Sequence, residues 1–287
     1  MTAAMVVTAL AAVTYALGLV LYLAGRASSY ARRGALIVGV GLVLHTASIA
    51  LFWSASGRPP WAAACGVLAF WSWMAVVVLL VLASRRGMQV VGVLIVPVVL
   101  MMFAAAFVVP KRAFALPGGG SPLMAAHIPL VFLSYTAFLY AAVSAALYLV
   151  QDARMKRKGP SACFERIPPL EWLERFTAGA LVAGFVVLTV GLALGLAWLA
   201  AAGPAGGFHD PKIAATAVIW LLYAALVVVR LTACGRGRRV ALMAIACFVL
   251  ALASYAFIKH WIPSAKARDG SALAQESTRT APEGTRP

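Results

Sequence analysis

Acidic residues are scarce in this chain. Only 8 of its 287 residues are Asp or Glu, against 24 Lys or Arg, and none of the eight lies within an apolar stretch. That excludes the buried carboxylate relays of proton pumps and many ion-coupled transporters. Cysteine is equally sparse: Cys65, Cys163, Cys234 and Cys247 form no C-x-x-C pair and no C-x-x-C-H attachment signature, so thiol oxidoreductase chemistry and covalent haem attachment to this chain are excluded. They read as small apolar fillers. No phosphate-binding P-loop, H-E-x-x-H, paired-carboxylate site or Ser-His-Asp arrangement is present. Histidine occurs four times only, as His45, His127, His209 and His260.

What fills the chain instead is hydrocarbon. Hydrophobic residues make up 63% and the mean hydropathy is +0.94, where soluble domains hold about 45–50% apolar residues. Runs of about 20 apolar residues recur, each long enough to cross a hydrocarbon core as a helix. Backbone groups in lipid must pair within their own segment, and the alternation of a barrel strand is missing. The expected architecture is all-α, a polytopic transmembrane helix bundle of about eight spans, at 3–24, 34–54, 61–84, 88–109, 126–150, 178–202, 213–233 and 240–262. The first lacks the basic residues that precede the core of a signal peptide, and it is long enough to span.

The net charge of +16 is placed by topology rather than by a nucleic-acid footprint. Arg26, Arg32 and Arg33 follow span one, and Arg85 and Arg86 follow span three. Six basic residues from Arg154 to Arg175 separate spans five and six, and Arg230, Arg236, Arg238 and Arg239 close span seven. The alternate connections hold Arg58, then Lys111 and Arg112, then Lys212. Basic-rich loops stay cytoplasmic, so both termini are expected outside, against only a basic tail. The same loops would touch anionic lipid, and no nucleic-acid partner is implied. The polar tail, 263–287, carries no apolar pattern and is expected to be a disordered extracytoplasmic segment.

Several features stand out along the spans. His45 lies about eleven residues into span two, mid-bilayer by helical rise. It is either functional or a neutral imidazole bonded to a neighbouring Ser or Thr. Trp53 and Trp61 flank a tight hairpin as interfacial aromatics, and Pro97 should kink span four. From His127, span five carries Phe132, Tyr135, Phe138, Tyr140 and Tyr148, either core or a cofactor wall. Residues 168–176 read as an interfacial amphipathic helix started by Pro168-Pro169. Gly191 and Gly195 in span six form a G-x-x-x-G face for close helix approach. Trp198 marks its outer end. Beyond lies Gly203-Pro204-Ala205-Gly206-Gly207-Phe208-His209-Asp210-Pro211-Lys212, where Asp210-Pro211 suits an N-cap and first helical position.

The charge-derived topology places His127, His209 and His260 at one surface, the extracytoplasmic one. Neutral imidazoles at the mouth of an apolar bundle suit iron porphyrin or another transition metal. The competing reading is that loop ends simply favour polar residues.

The sequence from Ser56-Gly57-Arg58-Pro59-Pro60 through Phe70-Trp71-Ser72-Trp73 and His127-Ile128-Pro129 to Ser134-Tyr135, followed by Leu147-Tyr148-Leu149, Pro168-Pro169-Leu170-Glu171, Gly191 to Trp198, Asp210-Pro211-Lys212 and Ile219 to Tyr223, resembles the cytochrome c assembly family of haem-handling membrane proteins, the CcsA and HemX-like group. Gly235-Arg236-Gly237-Arg238-Arg239 completes a similarity running over 34–262. It implies a transmembrane haem-handling domain over 1–262 in a multi-pass protein of the inner (plasma) membrane. Haem b would be held non-covalently at the outer face, and haem would be positioned rather than transformed. Its partners would be other cytochrome c assembly proteins or apocytochrome c, besides the bilayer. The resemblance implies His127 and His260 as iron ligands, with His209, His45, Trp198, Asp210 and Lys212 as further cofactor contacts. The family's tryptophans before D-P-K are replaced here by Gly203, Gly207 and His209, and its late transmembrane histidine by Val228. These departures bring the chain toward the HemX-like branch, for which the alternative is a regulatory or structural role in haem biosynthesis without haem binding.

Overall fold

The computed structural model describes residues 2–24, 28–83, 88–108, 121–157, 167–201, 211–232 and 237–261. Among these residues there is no strand. Eight helices follow in order: α1 (Thr2–Ala24), α2 (Ser28–Ser56), α3 (Ala64–Leu82), α4 (Met88–Val108), α5 (Pro122–Arg157), α6 (Leu170–Ala201), α7 (Pro211–Leu231) and α8 (Arg238–Trp261). The protein is an all-α, multi-pass helix bundle. Seven helices, α1 to α7, are long and apolar enough among the described residues to cross a membrane, and α8 adds a further 24 residues that begin with Arg238 and Arg239.

The helix ends follow from local chemistry. Gly57 stops α2: at φ +62 it adopts the left-handed conformation that favours glycine, and its N–H donates to the Trp53 carbonyl at 2.9 Å. Pro59 and Pro60 then turn the chain through a short 3-10 stretch, Pro60–Ala62, into α3. That turn lies so close to α3 that a Cβ on Gly66 would be 1.8 Å from the Pro60 carbonyl oxygen. Helix α4 continues through Pro97, as α5 does through Pro129, each losing one backbone hydrogen bond to the proline ring.

One sequence expectation is corrected. Residues 168–176 form no separate interfacial helix; α6 is a single helix of 32 residues starting just after Pro169, whose carbonyl accepts the N–H groups of Trp172 and Leu173. No proline lies between Phe176 and the apolar run, and the first turns are packed: Leu173 and Thr177 are buried, and the Ser144 hydroxyl of α5 donates to the Leu173 carbonyl at 3.1 Å.

Helix packing divides the molecule into two rings of four. In the first, α1 packs on α2, α2 on α3, α3 on α4 and α4 back on α1; in the second, α5 packs on α6, α6 on α7, α7 on α8 and α8 back on α5. The rings meet where α3 and α4 touch α5, and there the Tyr140 hydroxyl donates to the Ala75 carbonyl at 2.8 Å. Inside the second ring, Phe138 of α5 stacks on Tyr223 of α7 with centroids 3.6 Å apart. Gly184 of α6 lets that Phe138 ring approach, since a Cβ there would lie 2.6 Å from it. Outward positions such as Val6, Val13, Val20, Val43 and Val186 are exposed, as lipid-facing side chains should be.

Candidate functional site

His127 is on the second turn of α5, six positions after Ser121, whose carbonyl accepts the Ala125 N–H at 3.0 Å and starts the helix. Its Nδ1–H donates to the carbonyl of Gly191 on α6 at 2.7 Å. A carbonyl can only accept, so this bond fixes the proton on Nδ1 and leaves Nε2 with a lone pair. The contact exists because α6 has no side chain there: a Cβ on Gly195 would lie 2.8 Å from the imidazole Nδ1 and Cε1. The Gly191–Gly195 pair thus seats a ring as well as a helix. Trp198, half-buried, continues the same stripe of α6 by helical spacing. Among the described residues His127 makes no other hydrogen bond, and the side chain is only partly buried.

Further along α5, aromatic rings extend into the first ring of helices. Phe132, beyond Pro129 on α5, meets Phe70 of α3 edge-on at 5.9 Å and Trp71 at 6.5 Å. Phe70 in turn stacks on Trp73 at 6.0 Å and meets Trp61 of the hairpin at 5.3 Å, while Trp61 faces Trp53 at 6.3 Å. The wall therefore joins the α2–α3 hairpin to α5. One polar atom in it is unused among the described residues: the Trp71 indole Nε1, buried and without a hydrogen-bond partner. An imidazole with one nitrogen tied to a carbonyl and no hydrogen bond on the other is a donor that suits an iron porphyrin.

The other expected residues fall in three places. His260 lies on the last turn of α8, whose backbone packs against α5. At the far end Gly237 lies beside Tyr148; from there His260 is about six turns along α8 and His127 about six turns along α5, roughly 32–35 Å at the helical rise. The two positions are therefore at similar height on neighbouring antiparallel helices, and the His260 side chain lies outside the described residues. His209 and Asp210 also lie outside them, as does the Lys212 side chain, although α7 does begin at Pro211. Among the described residues no three His, Cys, Asp or Glu come together as a metal site.

His45 sits elsewhere, inside the first ring and only 1% exposed. Its Nδ1 is 3.1 Å from the Tyr15 hydroxyl of α1, and the Phe103 ring of α4 packs edge-on at 4.4 Å. The backbone of Ala69 on α3 is close enough to act on the ring, but Nε2 makes no hydrogen bond of ordinary geometry. Val228 is 60% exposed, so a histidine there would face lipid; the inward residues before it on α7 are Tyr223, Leu226 and Val227.

Sequence reasoning missed the Gly191 carbonyl. The G-x-x-x-G spacing signalled close approach, and only a partner helix bearing His127 at matching height turns that into a hydrogen bond. It named Phe132 in a stripe that was either core or cofactor wall and Phe70 in the family-like run, but not their contact with each other, which spacing and composition do not reveal.

The family model described as Cytochrome C assembly protein matches residues 61–265, a stretch that takes in α3 to α8 and with them His127 and the Gly191–Gly195 pair. The chain is 26% identical over 258 residues to the cytochrome c biogenesis protein CcsA of Prochlorococcus marinus (strain NATL2A), covering 79% of this chain and 82% of that one. Similarity to CcsA of Synechococcus sp. (strain CC9902) is 26% over 246 residues, 77% and 81% of the two chains. Protein HemX of Bacillus subtilis (strain 168) is 27% identical over 222 residues, 76% and 80% of the two. With the larger part of its length matched, this chain belongs to the cytochrome c assembly protein family.

Proposed function

We propose that the chain holds haem b non-covalently at the extracytoplasmic face of the inner (plasma) membrane and positions it in cytochrome c biogenesis. The observation that carries this reading is the anchored imidazole: His127 is tied through Nδ1 to the Gly191 carbonyl in the notch left by Gly195, and its Nε2 makes no hydrogen bond among the described residues. His260, at similar height on α8, or His209 would supply the opposite ligand. Trp198 and the 203–209 stretch would border the porphyrin, Asp210 would cap α7, and Lys212 would meet a propionate. Bound haem supplies the iron and the porphyrin to be passed on; the side chains named here bind, orient and shield it. Its recipients are apocytochrome c or other assembly proteins. In this reading both termini and the 263–287 tail are extracytoplasmic, which the basic loops support and the basic tail alone opposes, and residues 1–262 act as one haem-handling unit.

His45 takes a structural part in this proposal. Its ring is enclosed by Tyr15 and Phe103, so it holds α1, α2 and α4 together rather than facing the outer mouth.

The visible spectrum of the full-length protein in detergent tests the reading. A Soret band from haem-replete cells that is lost in His127→Ala supports it; a colourless wild type sinks it. An alkaline phosphatase fusion at Pro287 that is inactive would overturn the orientation. The second reading, a HemX-like regulator without haem, has two supports: the similarity to Bacillus HemX and the loss of tryptophans before Asp210-Pro211-Lys212. It would act through the 151–177 segment, much of which the structure assigns to the ends of α5 and α6. A colourless preparation that still binds a soluble haem-biosynthetic enzyme through this segment favours it.

A further inference from the structure

The two rings repeat one another in detail. Gly41 of α2 and Gly184 of α6 each admit an aromatic ring from the helix before, Tyr15 of α1 and Phe138 of α5, and in both a Cβ would lie 2.6 Å from that ring. Further along the same helices, Thr46 and Thr189 each accept an indole N–H from the helix after, from Trp73 of α3 at 2.8 Å and from Trp220 of α7 at 3.0 Å. These pairs fix the register of α1 on α5, α2 on α6 and α3 on α7. In that register the order of buried, half-buried and exposed positions from Gly34 to Ala50 is that from Thr177 to Ala193, position for position. Each ring has four helices, so α1 and α5 cross the bilayer in the same direction.

The repeat breaks where the rings meet. Inward faces agree: Ala11 and Tyr15 are buried as Ser134 and Phe138 are, and Val76 and Leu79 as Tyr223 and Leu226 are. Outward faces do not. Thr136 and Tyr140 of α5 are 0% and 1% exposed, whereas their counterparts on α1, Val13 and Leu17, are 55% and 51% exposed. The difference is the first ring, since α5 lies against α3 and α4. On α3, Phe70 and Trp71 are half-buried against Phe132 and Tyr135 of α5, whereas their counterparts on α7, Ala217 and Val218, are exposed.

Lipid contact alone accounts for exposure. What the repeat adds is a pairing: the two uncovered faces are the two halves of a contact this fold already makes. Within one molecule they stay apart, because α1 packs on α2 and α4, and α7 on α6 and α8. Both halves are small where the internal contact is aromatic, since Phe132 corresponds to Ala9, Phe70 to Ala217 and Trp71 to Val218. Small side chains on both sides let helix backbones approach closely, which favours association in lipid.

We propose that the α1 face of one copy docks on the α7 face of a second copy, repeating between molecules the contact that α5 makes with α3 inside each. The contact is heterologous, so each copy keeps one face of each kind and the copies join head to tail, closing as a ring where the rotation permits. The proposal does not rest on haem, because neither face includes His127, Gly191 or Gly195.

The test co-expresses two differently tagged full-length chains, one carrying Ala9→Cys and the other Val218→Cys, and oxidises them in their membranes with copper phenanthroline. Each variant expressed with wild type sets the background from the four native cysteines. The mixed pair should cross-link above that background, and a Val43→Cys with Val186→Cys pair, as exposed on α2 and α6, should not. Native mass spectrometry of the wild type should give a multiple of 30.1 kDa. The proposal is overturned by an oligomer whose mixed pair does not cross-link, by equal cross-linking of the Val43 and Val186 pair, or by Ala9→Cys linking to itself or to another protein. A monomeric wild type overturns it even where a variant fails to fold.

Discussion

His45 and His127 are the same residue in two rings of the same kind, and each commits Nδ1 to a partner on a neighbouring helix. They differ in what surrounds the second nitrogen. In the first ring Tyr15 and Phe103 close around His45, leaving Nε2 without a hydrogen bond or exposure. In the second ring Gly195 leaves a notch in α6, so the His127 ring lies on backbone, its Nδ1 on the Gly191 carbonyl and its side chain only partly buried. Enclosure makes an imidazole an interhelical strut; a notch beside a partly buried ring leaves a nitrogen free for the ligand role proposed for His127. The lesson is that a membrane histidine's role is set by the side chains missing opposite it as much as by its own depth.

That contrast breaks most visibly under alanine. His127→Ala should abolish the Soret absorbance of protein purified from haem-replete cells, whereas His45→Ala should keep the absorbance and lower the thermal midpoint instead. Absorbance lost equally in both would make the two sites one system. Gly195→Leu sharpens the comparison without touching a ligand. A side chain there meets the imidazole at 2.8 Å from its first carbon and displaces the ring from the Gly191 carbonyl. Outer-shell partners of metal-bound histidines are worth about 10–100-fold in affinity, so haem titration should show a loss in that range, with helicity by circular dichroism unchanged.

Most of the fold was legible before any coordinates. The spacing of apolar runs places all eight helices to within a few residues at most ends, because lipid leaves the backbone so few alternatives. Where it erred, at 168–176, the error was local: an amphipathic segment after two prolines looks interfacial, but buried contacts of Leu173 and Thr177 draw it into α6. The site was legible only as residue types. His127 could be named from its position and from family resemblance, while the Gly191 carbonyl that orients it leaves no trace in composition, since any helical residue has one. The two-ring packing was likewise invisible, because helix order around a bundle depends on small residues such as Gly184 meeting Phe138, and the sequence does not say which helix a glycine faces.

The hairpin that carries the aromatic wall offers a smaller effect. Gly66→Val places a side chain where even a Cβ would be 1.8 Å from the Pro60 carbonyl oxygen, a backbone atom that cannot rotate away. Overpacking of this kind costs about 1–3 kcal/mol. The thermal midpoint should fall, and quenching of Trp61 fluorescence should change as the hairpin lifts from Phe70. Unchanged stability would mean that the turn is not held against α3 in the membrane.

The smallest effect belongs to the enclosed histidine. Tyr15→Phe removes one hydroxyl and keeps the ring that packs on Phe103 at 5.9 Å, so the change isolates the hydrogen bond to His45 from the packing around it. Interhelical hydrogen bonds within membranes average about 0.6 kcal/mol. The loss should be near that value, because the His45 ring would then be left with neither nitrogen bonded to a side chain, yet still caged. Reversible unfolding in mixed micelles can resolve it, and the double variant Tyr15→Phe with His45→Phe measures the coupling directly. If the strut assignment is right, the two single losses exceed the double loss when summed, and haem absorbance stays at the wild-type level in all three proteins. A haem loss in Tyr15→Phe would instead tie the first ring to the outer mouth.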